Sequence, residues 1–228
     1  MPSDNGETIA QRIERGREQN SIGDGAIVPF PGDPNLDYLF AMLSTFENGW
    51  IVQQQNGGYQ LSGATYHSEQ GDPIFITLRL DHPDYCADRP NELKKHIRPL
   101  RCERVLGAFG KSSLRHIEGA RPLYNLDKLA ARPIDRVLLV EGERTADAAQ
   151  AHFPDYVATT WPGGALSVGK VELLPLIGRN VTIWPDHDED GRKGASRLAE
   201  RLLREAVGSC RIVQVPADFP NKWDLADA

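Results

Sequence analysis

The feature that most constrains the fold is a pair of short apolar runs that each end in carboxylates and a glycine. Residues 137–140 are followed by Glu141-Gly142, and residues 181–184 by Pro185-Asp186-His187-Asp188-Glu189-Asp190-Gly191. Short runs of β-branched and aliphatic residues are typical of strands buried on both faces. Side chains at the carboxyl ends of such strands line the ligand crevice of an open α/β sheet. The pattern therefore predicts that Glu141, Asp186 and Asp188 gather at one edge of a sheet.

Three carboxylates in one place indicate a metal site. Their charges repel unless a cation neutralises them, and hard oxygen ligands suit Mg2+ or Mn2+. An EF-hand calcium loop does not fit, because position twelve from Asp186 is Arg197 where that loop needs Glu. Helix capping would explain either motif alone, but the two together favour a metal site. Asp190 is a weaker candidate, since capping of the following helix would account for it.

The composition is that of a globular protein with a real core. The chain has 228 residues, 40% of them apolar and 25% charged, which allows one large or two small domains. It contains no run of 18 apolar residues and no secretory signal at the N-terminus. Its three cysteines, Cys86, Cys102 and Cys210, are widely spaced, which excludes a four-cysteine zinc site within the chain and fits a reducing compartment. We therefore expect a cytoplasmic protein without a membrane segment.

The formal net charge of −6 does not indicate nucleic-acid binding. A protein that binds phosphate without regard to sequence usually gathers basic residues, so any basic patch here has to be local. The balance argues mildly against tight autonomous DNA binding. It leaves room for a metal-dependent enzyme, whose own site contributes carboxylates.

The first half of the chain reads as a tail and a small α+β subdomain. Residues 1–35 are predicted to form a flexible tail, and residues 36–118 the subdomain. Within it we expect a helix over 36–46 and strands over 50–52, 59–61, 64–67 and 73–80, with a hairpin turn at 68–72. A basic stretch follows at 94–101, and a solvated edge and a phosphate-contacting strand explain it equally well.

From about residue 122 the predicted helices and strands alternate. Helices are expected over 123–131, 146–152, 168–174 and 191–207, and strands over 137–140, 156–160, 181–184 and 211–215. This spacing is typical of βαβ units and a parallel sheet. The arginines of the long last helix are expected to lie on a solvated face rather than to bind nucleic acid.

The two acidic motifs resemble the TOPRIM domain of bacterial-type primases, topoisomerases and some nucleases, in which one strand ends in Glu-Gly and a later one in Asp-x-Asp-x-x-Gly. The likeness extends to the primase-like proteins of phages and mobile elements. It covers residues 119–228 closely, through Leu123-Tyr124-Asn125-Leu126, Glu141-Gly142-Glu143-Arg144-Thr145-Ala146-Asp147, Trp161-Pro162-Gly163-Gly164 and Lys222-Trp223-Asp224-Leu225-Ala226-Asp227.

The resemblance implies a TOPRIM fold, which is Rossmann-like with a mainly parallel sheet and flanking helices, preceded by the smaller α+β subdomain. It assigns catalysis and metal binding to Glu141, Asp186 and Asp188. Asp224 is implied as a further metal ligand, and the expected cofactors are two ions of Mg2+ or Mn2+.

The resemblance also implies a path for template and nucleotide. Upstream basic residues place Arg79, Lys95 and Arg98 on that path. Gly163 and Gly164 would let backbone N–H groups approach phosphate, with Lys170 reaching the same site, although a simple tight turn explains the glycine pair equally well.

Two positions depart from the replicative primases, and either departure could alter metal binding or weaken template contact. Thr145 stands where those enzymes have Asp. Glu118 and Gly119 stand where they have Lys before the Leu-Tyr pair.

The implied function is primer synthesis on single-stranded DNA from nucleoside triphosphates, with a helicase or polymerase as a further partner. Two alternatives stay open. The same carboxylates could cleave nucleic acid if water replaced the attacking hydroxyl, or the chain could be a non-catalytic binding module of a replication complex.

Overall fold

The computed structural model describes residues 27–28, 60–81, 95–103, 112–113, 120–205 and 207–228. These residues belong to two compact units, one within 24–117 and the other within 118–228. The predicted helix over 36–46, the predicted strand over 50–52 and most of the predicted tail lie outside the described residues. None of the helices in the described part of the chain is long and apolar enough to cross a membrane.

The unit within 24–117 contains an antiparallel sheet whose strands lie in the order β1-β4-β3-β2, with β5 also paired to β4. Its strands are β1 (Ile27–Val28), β2 (Gln60–His67), β3 (Pro73–Asp81), β4 (Lys95–Glu103) and β5 (Ser112–Ser113). The predicted hairpin between β2 and β3 is confirmed. Its turn is closed by the Ser68 N–H, which donates to the Asp72 carbonyl at 2.7 Å.

Two expectations for this unit change in detail. The separate strands expected over 59–61 and 64–67 form the single strand β2, because Gly63 continues its pairing with β3 at Leu78. Residues 27–28, within the predicted tail, pair with β4 at Cys102 and Glu103.

The unit within 118–228 contains a parallel sheet with strand order β7-β6-β8-β9. The strands are β6 (Arg136–Val140), β7 (Tyr156–Thr159), β8 (Asn180–Trp184) and β9 (Ser209–Ile212), and the α-helices are α1 (Leu126–Ala131), α2 (Glu143–His152) and α3 (Glu189–Arg204). Three 3-10 helices complete the unit, namely η1 (Ala165–Lys170), η2 (Leu174–Leu176) and η3 (Leu225–Asp227). The predicted α/β class with a parallel sheet and flanking helices is confirmed.

The α-helix predicted over 168–174 is wrong. The chain forms η1 instead and then leaves helical geometry at Val171, which makes an isolated parallel bridge with Arg121. The Arg121 N–H donates to the Lys170 carbonyl at 2.7 Å, and the Glu172 N–H donates to the Arg121 carbonyl at 2.8 Å. These bonds engage backbone groups that an α-helix would use internally, so the segment extends beside residue 121.

Buried apolar residues cover both faces of the parallel sheet. Val137 and Leu139 of β6 belong to one buried cluster with Leu198 and Leu202 of α3. Successive strand residues point to opposite faces, so the buried Leu138 faces away from that cluster. Helix α2 contacts β6 and β7. The two-sided burial explains why β6 is an unbroken apolar run.

Arg179 ties α1 to the start of β8. Its Nη2 donates to the carbonyls of Leu129 and Arg132, both at 2.6 Å, and the residue is 7% exposed. The two carbonyls lie at the C-terminal end of α1, where backbone acceptors lack partners within the helix. Burial lowers the pKa of the Arg179 guanidinium.

Candidate active site

The two acidic motifs end neighbouring strands at the same edge of the parallel sheet. Strand β6 pairs with β8 in a register that sets Val140 opposite Trp184. Glu141 follows β6 directly, and Asp186 follows β8 after Pro185. The structure therefore brings the turns that carry Glu141, Asp186 and Asp188 to one edge, at the carboxyl ends of the strands.

The turn after β6 depends on a glycine and on a hydroxyl group from β7. Gly142 has φ 84° and ψ 150°, a conformation that residues with a Cβ rarely adopt. The Gly142 carbonyl accepts from the Ala146 N–H at 3.0 Å, which begins α2. Its N–H donates to Thr160 Oγ1 at 2.9 Å. Thr160 is fully buried directly after β7, so Glu141 leaves the sheet through a turn that is held on both sides.

The turn after β8 is closed by a helix cap. Asp188 is the N-cap residue of α3, and its Oδ1 accepts from the Gly191 N–H at 2.7 Å. Asp188, rather than Asp190, is thus the capping acid, while Asp190 lies exposed in the first turn. Asp186 Oδ1 is buried. A Cβ at Gly191 would lie 2.5 Å from the Asp186 carbonyl oxygen, so a glycine is required where α3 passes the Asp186 backbone.

The C-terminal segment docks on the same turn through His187. The His187 N–H donates to the Trp223 carbonyl at 2.9 Å, and the Lys222 N–H donates to the His187 carbonyl at 3.0 Å. The ring Nδ1 of His187 lies 2.9 Å from the Pro220 carbonyl, to which a protonated Nδ1 donates. These contacts bring Asp224, one residue after Trp223, beside the Asp186–His187–Asp188 turn.

Aromatic packing supports this docking. The Trp223 ring lies 4.6 Å from Phe219 and 6.5 Å from Trp184, and Trp184 lies 5.7 Å from Phe153, all between ring centroids. Asp224 itself caps η3, since its Oδ1 accepts from the Ala226 N–H at 2.5 Å.

The donors fit a hard divalent cation in their chemistry, because carboxylate oxygens are the ligands that Mg2+ and Mn2+ prefer. Their placement on adjacent strand ends fits as well. Within the described residues, however, no three His, Cys, Asp or Glu side chains stand in an arrangement that could hold a metal ion. Asp188 also shares its carboxylate with the N-terminus of α3. The three predicted ligands are thus neighbours that do not close around a common point.

Gly163 is explained by packing rather than by room for phosphate. Arg121 Nη1 donates to the Pro162 carbonyl and to Ser167 Oγ, both at 2.7 Å. A Cβ at Gly163 would overlap that guanidinium and lie 2.5 Å from Ser167 Oγ. A Cβ at Gly164, by contrast, would have no atom within 4 Å among the described residues. Of the two glycines, only Gly164 keeps an open side.

Lys170 lies away from the carboxylates. It lines a cavity of about 460 Å³ with Arg201 and Glu205 at the C-terminal end of α3. Arg201 is thirteen residues beyond Asp188, about 20 Å along the helix axis at 1.5 Å per residue. Its Nη1 and Nη2 donate to the carbonyls of Val168 and Val171 and so fasten η1 there. The structure does not bring Lys170 together with the acidic edge.

The upstream basic residues belong to the other unit. Arg79 lies in β3, and Lys95 and Arg98 lie in β4. The register pairs Arg79 with Ile97, Asp81 with Lys95, and Leu78 with Arg98. Because positions alternate between the faces of a strand, the backbone positions of Arg79 and Lys95 fall on one face and that of Arg98 on the other. Their role in a template path stays a prediction.

Tyr124 links helix α2 to the end of β7, since its N–H donates to the Thr160 carbonyl. Its hydroxyl donates to Asp147 Oδ1 of α2 at 3.1 Å. Burial, followed by the nearby charge of Asp147, raises the pKa of Tyr124 well above its ordinary range. Thr145, which stands where the replicative primases have Asp, is 4% exposed in the first turn of α2.

Sequence reasoning missed Thr160 and Arg121. Thr160 follows β7, the other neighbour of β6, so a hydroxyl at the end of an adjacent predicted strand was the available signal. Arg121 had no such signal, because its partners Pro162 and Ser167 are more than 40 residues away in sequence.

No protein-family model matches the chain, and no curated protein is significantly similar to it. Solved DNA primases are structurally similar. A DNA primase domain from Pseudomonas aeruginosa is 18% identical with a TM-score of 0.43, over 72% of this chain and 45% of the other. A DnaG catalytic core is 16% identical with a TM-score of 0.45, over 97% and 69%. A DnaG primase catalytic domain bound to ssDNA is 16% identical with a TM-score of 0.43, over 96% and 66%. The chain thus spans about half to two thirds of the length of these primase structures.

Proposed function

We propose that this chain is a primase-like nucleotidyltransferase that makes short primers on single-stranded DNA from nucleoside triphosphates. The observation that supports this most directly is the β6–β8 register, with Val140 opposite Trp184, which sets the Glu-Gly and Asp-x-Asp turns side by side. Both motifs are those of the TOPRIM resemblance, in the same order and on neighbouring strands.

The reaction joins two nucleotides. The 3′-oxygen of one forms a bond to the α-phosphorus of the next, the bond from that phosphorus to the pyrophosphate oxygen breaks, and the hydroxyl proton passes to solvent. Glu141, Asp186 and Asp188 would hold one or two Mg2+ or Mn2+ ions, with Asp224 as a further ligand. Bound there, such ions supply activation of the hydroxyl and stabilisation of the charge on the leaving pyrophosphate.

The chain's own groups fix where those carboxylates stand. Asp188 uses Oδ1 for the Gly191 N–H, which orients the carboxylate and leaves Oδ2 available for a ligand. The hydrogen bonds of His187 with Lys222 and Trp223 hold Asp224 at the same turn. Gly164, with its open side, remains the better candidate of the glycine pair for an approach to phosphate, while Lys170, Arg79, Lys95 and Arg98 remain candidates for contacts with the rest of the substrate.

The test is primer synthesis with a charge-matched control. The protein is incubated with single-stranded DNA, labelled NTPs or dNTPs and Mg2+ or Mn2+. Asp186→Asn/Asp188→Asn removes two negative charges and keeps a capping residue at position 188. Glu189→Gln/Glu200→Gln removes two negative charges from exposed positions of α3. New short products that are lost only in the first variant support the proposal.

The other outcomes of this experiment would replace the proposed function with a different one. Shortened template that the Asp186→Asn/Asp188→Asn variant no longer produces would make the protein a metal-dependent nuclease. Metal binding without either product would leave a non-catalytic binding role. Equal loss in both double variants would mean that the general negative charge, rather than the acidic turn, supports the activity.

A further inference from the structure

A single side chain from a neighbouring strand holds the turn that carries Glu141. Thr160 Oγ1 accepts from the Gly142 N–H at 2.9 Å, and Thr160 is 0% exposed. The peptide plane that contains this N–H also contains the Glu141 carbonyl, because the peptide bond between the two residues is planar. Fixing the Gly142 N–H therefore fixes the rotation of the peptide that leaves Glu141.

Glycine makes this anchor necessary. Gly142 lacks a Cβ, so the backbone at this point has more accessible conformations than at any other residue type. Strand β6 ends at Val140, and helix α2 begins at Glu143. Between them, Thr160 Oγ1 binds the N–H group of Gly142.

Hydrogen bonds from a neighbouring segment hold Thr160 and the end of β7 in place. The Tyr124 N–H donates to the Thr160 carbonyl at 2.8 Å, and Thr159 Oγ1 donates to the Tyr124 carbonyl at 2.6 Å. Asn125 Nδ2 donates to the Ala158 carbonyl at 3.0 Å. The Tyr124-Asn125 segment therefore lies along the end of β7 and holds residue 160 in place from the outer side.

We propose that Thr160 is a positioning residue for Glu141, so that the hydroxyl on the end of β7 sets the direction in which the carboxylate leaves β6. The inference rests on the proposed function for the identity of the reaction, but it makes a separate claim about the Glu141 turn. A side chain held in this way belongs to the preorganisation that a catalytic or metal-binding group needs.

Three variants separate the contribution of the Thr160 hydroxyl group from that of the side-chain shape. Thr160→Val keeps the β-branched shape and removes the oxygen, and Thr160→Ser keeps the oxygen. Thr182→Val is the matched control, because it makes the same change within the same sheet, in the middle of β8, where Thr182 pairs with Leu138 rather than with the Glu141 turn. Circular dichroism and thermal unfolding select conditions under which all three are folded.

Three measurements follow on each folded variant, namely amide hydrogen exchange at Gly142 by NMR, Mn2+ affinity by calorimetry, and the kcat and KM of primer synthesis. In Thr160→Val we expect Gly142 exchange to accelerate at least about tenfold, Mn2+ affinity to fall about 10-fold to 100-fold, and kcat to fall in the same range with KM nearly unchanged. Thr160→Ser should recover most of each loss, and Thr182→Val should show none of them.

The inference is overturned if Thr160→Val accelerates Gly142 exchange while Mn2+ affinity and kcat stay at wild-type values, since the hydroxyl would then be structural only. Equal losses in Thr182→Val, or a wild-type protein that binds no Mn2+, would also overturn it. Wild-type protein that binds Mn2+ but makes no primers would refute the proposed function alone, and the Mn2+ affinities would still decide the role of Thr160.

Discussion

The two acidic turns each close on a glycine, but for different physical reasons. Gly142 follows β6 with φ 84°, and among the described residues the atom nearest to a Cβ there would be Thr145 Oγ1, at 3.9 Å. Gly191 has no positive φ, and a Cβ there would lie 2.5 Å from the Asp186 carbonyl oxygen. The first glycine supplies a backbone conformation, and the second supplies space. Similar motifs in sequence thus impose different constraints in structure.

The supports of the two turns differ in the same way. The β6 turn is held from the neighbouring strand by the Thr160 hydroxyl. The β8 turn is held by its own helix cap at Asp188 and by the C-terminal segment at His187. A substitution in the β6 turn should therefore change the orientation of Glu141. A substitution in the β8 turn should change the packing of α3 and of the C-terminal segment.

The largest effect is expected from Gly191→Ala. Overpacking against backbone costs about 1–3 kcal/mol, whereas Gly→Ala inside a helix ordinarily stabilises by up to about 1 kcal/mol. Because the new Cβ would meet backbone, the cost should lie at the upper end of that range, and with the helix gain subtracted we expect the free energy of unfolding to fall by about 2.5 kcal/mol in urea titrations. Gly169→Ala, where no atom of the described residues lies within 4 Å of the new Cβ, should stay within about 0.5 kcal/mol of wild type. A stabilised Gly191→Ala protein would contradict the close approach of α3 to Asp186.

Gly142→Ala should cost less, about 2 kcal/mol, because its penalty is backbone strain without a steric clash. Urea titration measures the loss. A double-mutant cycle with Thr160→Val tests its origin, since strain that rotates the Gly142 N–H away from Thr160 makes the two losses less than additive. Strict additivity would show that the glycine and the hydroxyl act separately.

The third effect separates capping from chemistry at Asp188. Asp188→Ala should lower the free energy of unfolding by about 1 kcal/mol through the lost N-cap, and Asp188→Asn by less than about 0.5 kcal/mol, while both lose primer synthesis. An equal loss of stability in Asp188→Ala and Asp188→Asn would rule out the cap.

The smallest effect is expected at alkaline pH, and it comes from Tyr124, whose hydroxyl contacts helix α2 after β6. Tyr124 titrates near its ordinary pKa in the unfolded chain, but the folded protein keeps it protonated to a higher pH. Above about pH 10 the unfolded chain therefore holds fewer protons, and the free energy of unfolding falls as pH rises. Urea midpoints at about pH 9 and about pH 10.5 should differ less in Tyr124→Phe than in wild type. An identical difference in both proteins would place the alkaline sensitivity elsewhere.

The sequence predicted the parts of the fold that local pattern controls. The apolar run of β6, the alternation with α2, β7, β8 and α3, and the hairpin between β2 and β3 are all present. Apolar periodicity, turn residues and strand-end acids are properties of neighbouring residues. The shared edge of Glu141 and Asp186 followed from the same pattern, because adjacent parallel strands end together.

The remainder depends on contacts between distant residues. The segment after Gly164 reads as a helix, yet the bridge of Val171 to Arg121, fifty residues earlier, extends it. The same displacement leaves Lys170 beside Arg201 rather than at the carboxylates. Thr160 resembles any strand-end threonine until the pairing of β6 with β7 is known. Propensity does not encode these partners, since tertiary contacts override it.

The strand order also has a consequence for the path by which the protein folds. Strand β6 lies between β7 and β8, and Val137 pairs with Val181, 44 residues further along the chain. The local unit of β6, α2 and β7 can assemble early, because its contacts are close in sequence. Strand β8 must first close a longer loop, and the entropy lost in doing so precedes any stabilisation from its pairing with β6. A chain in which only the local unit has formed would carry Glu141 and its Thr160 anchor but not Asp186. The acidic edge therefore depends on the pairing of β8, which has the longer loop to close.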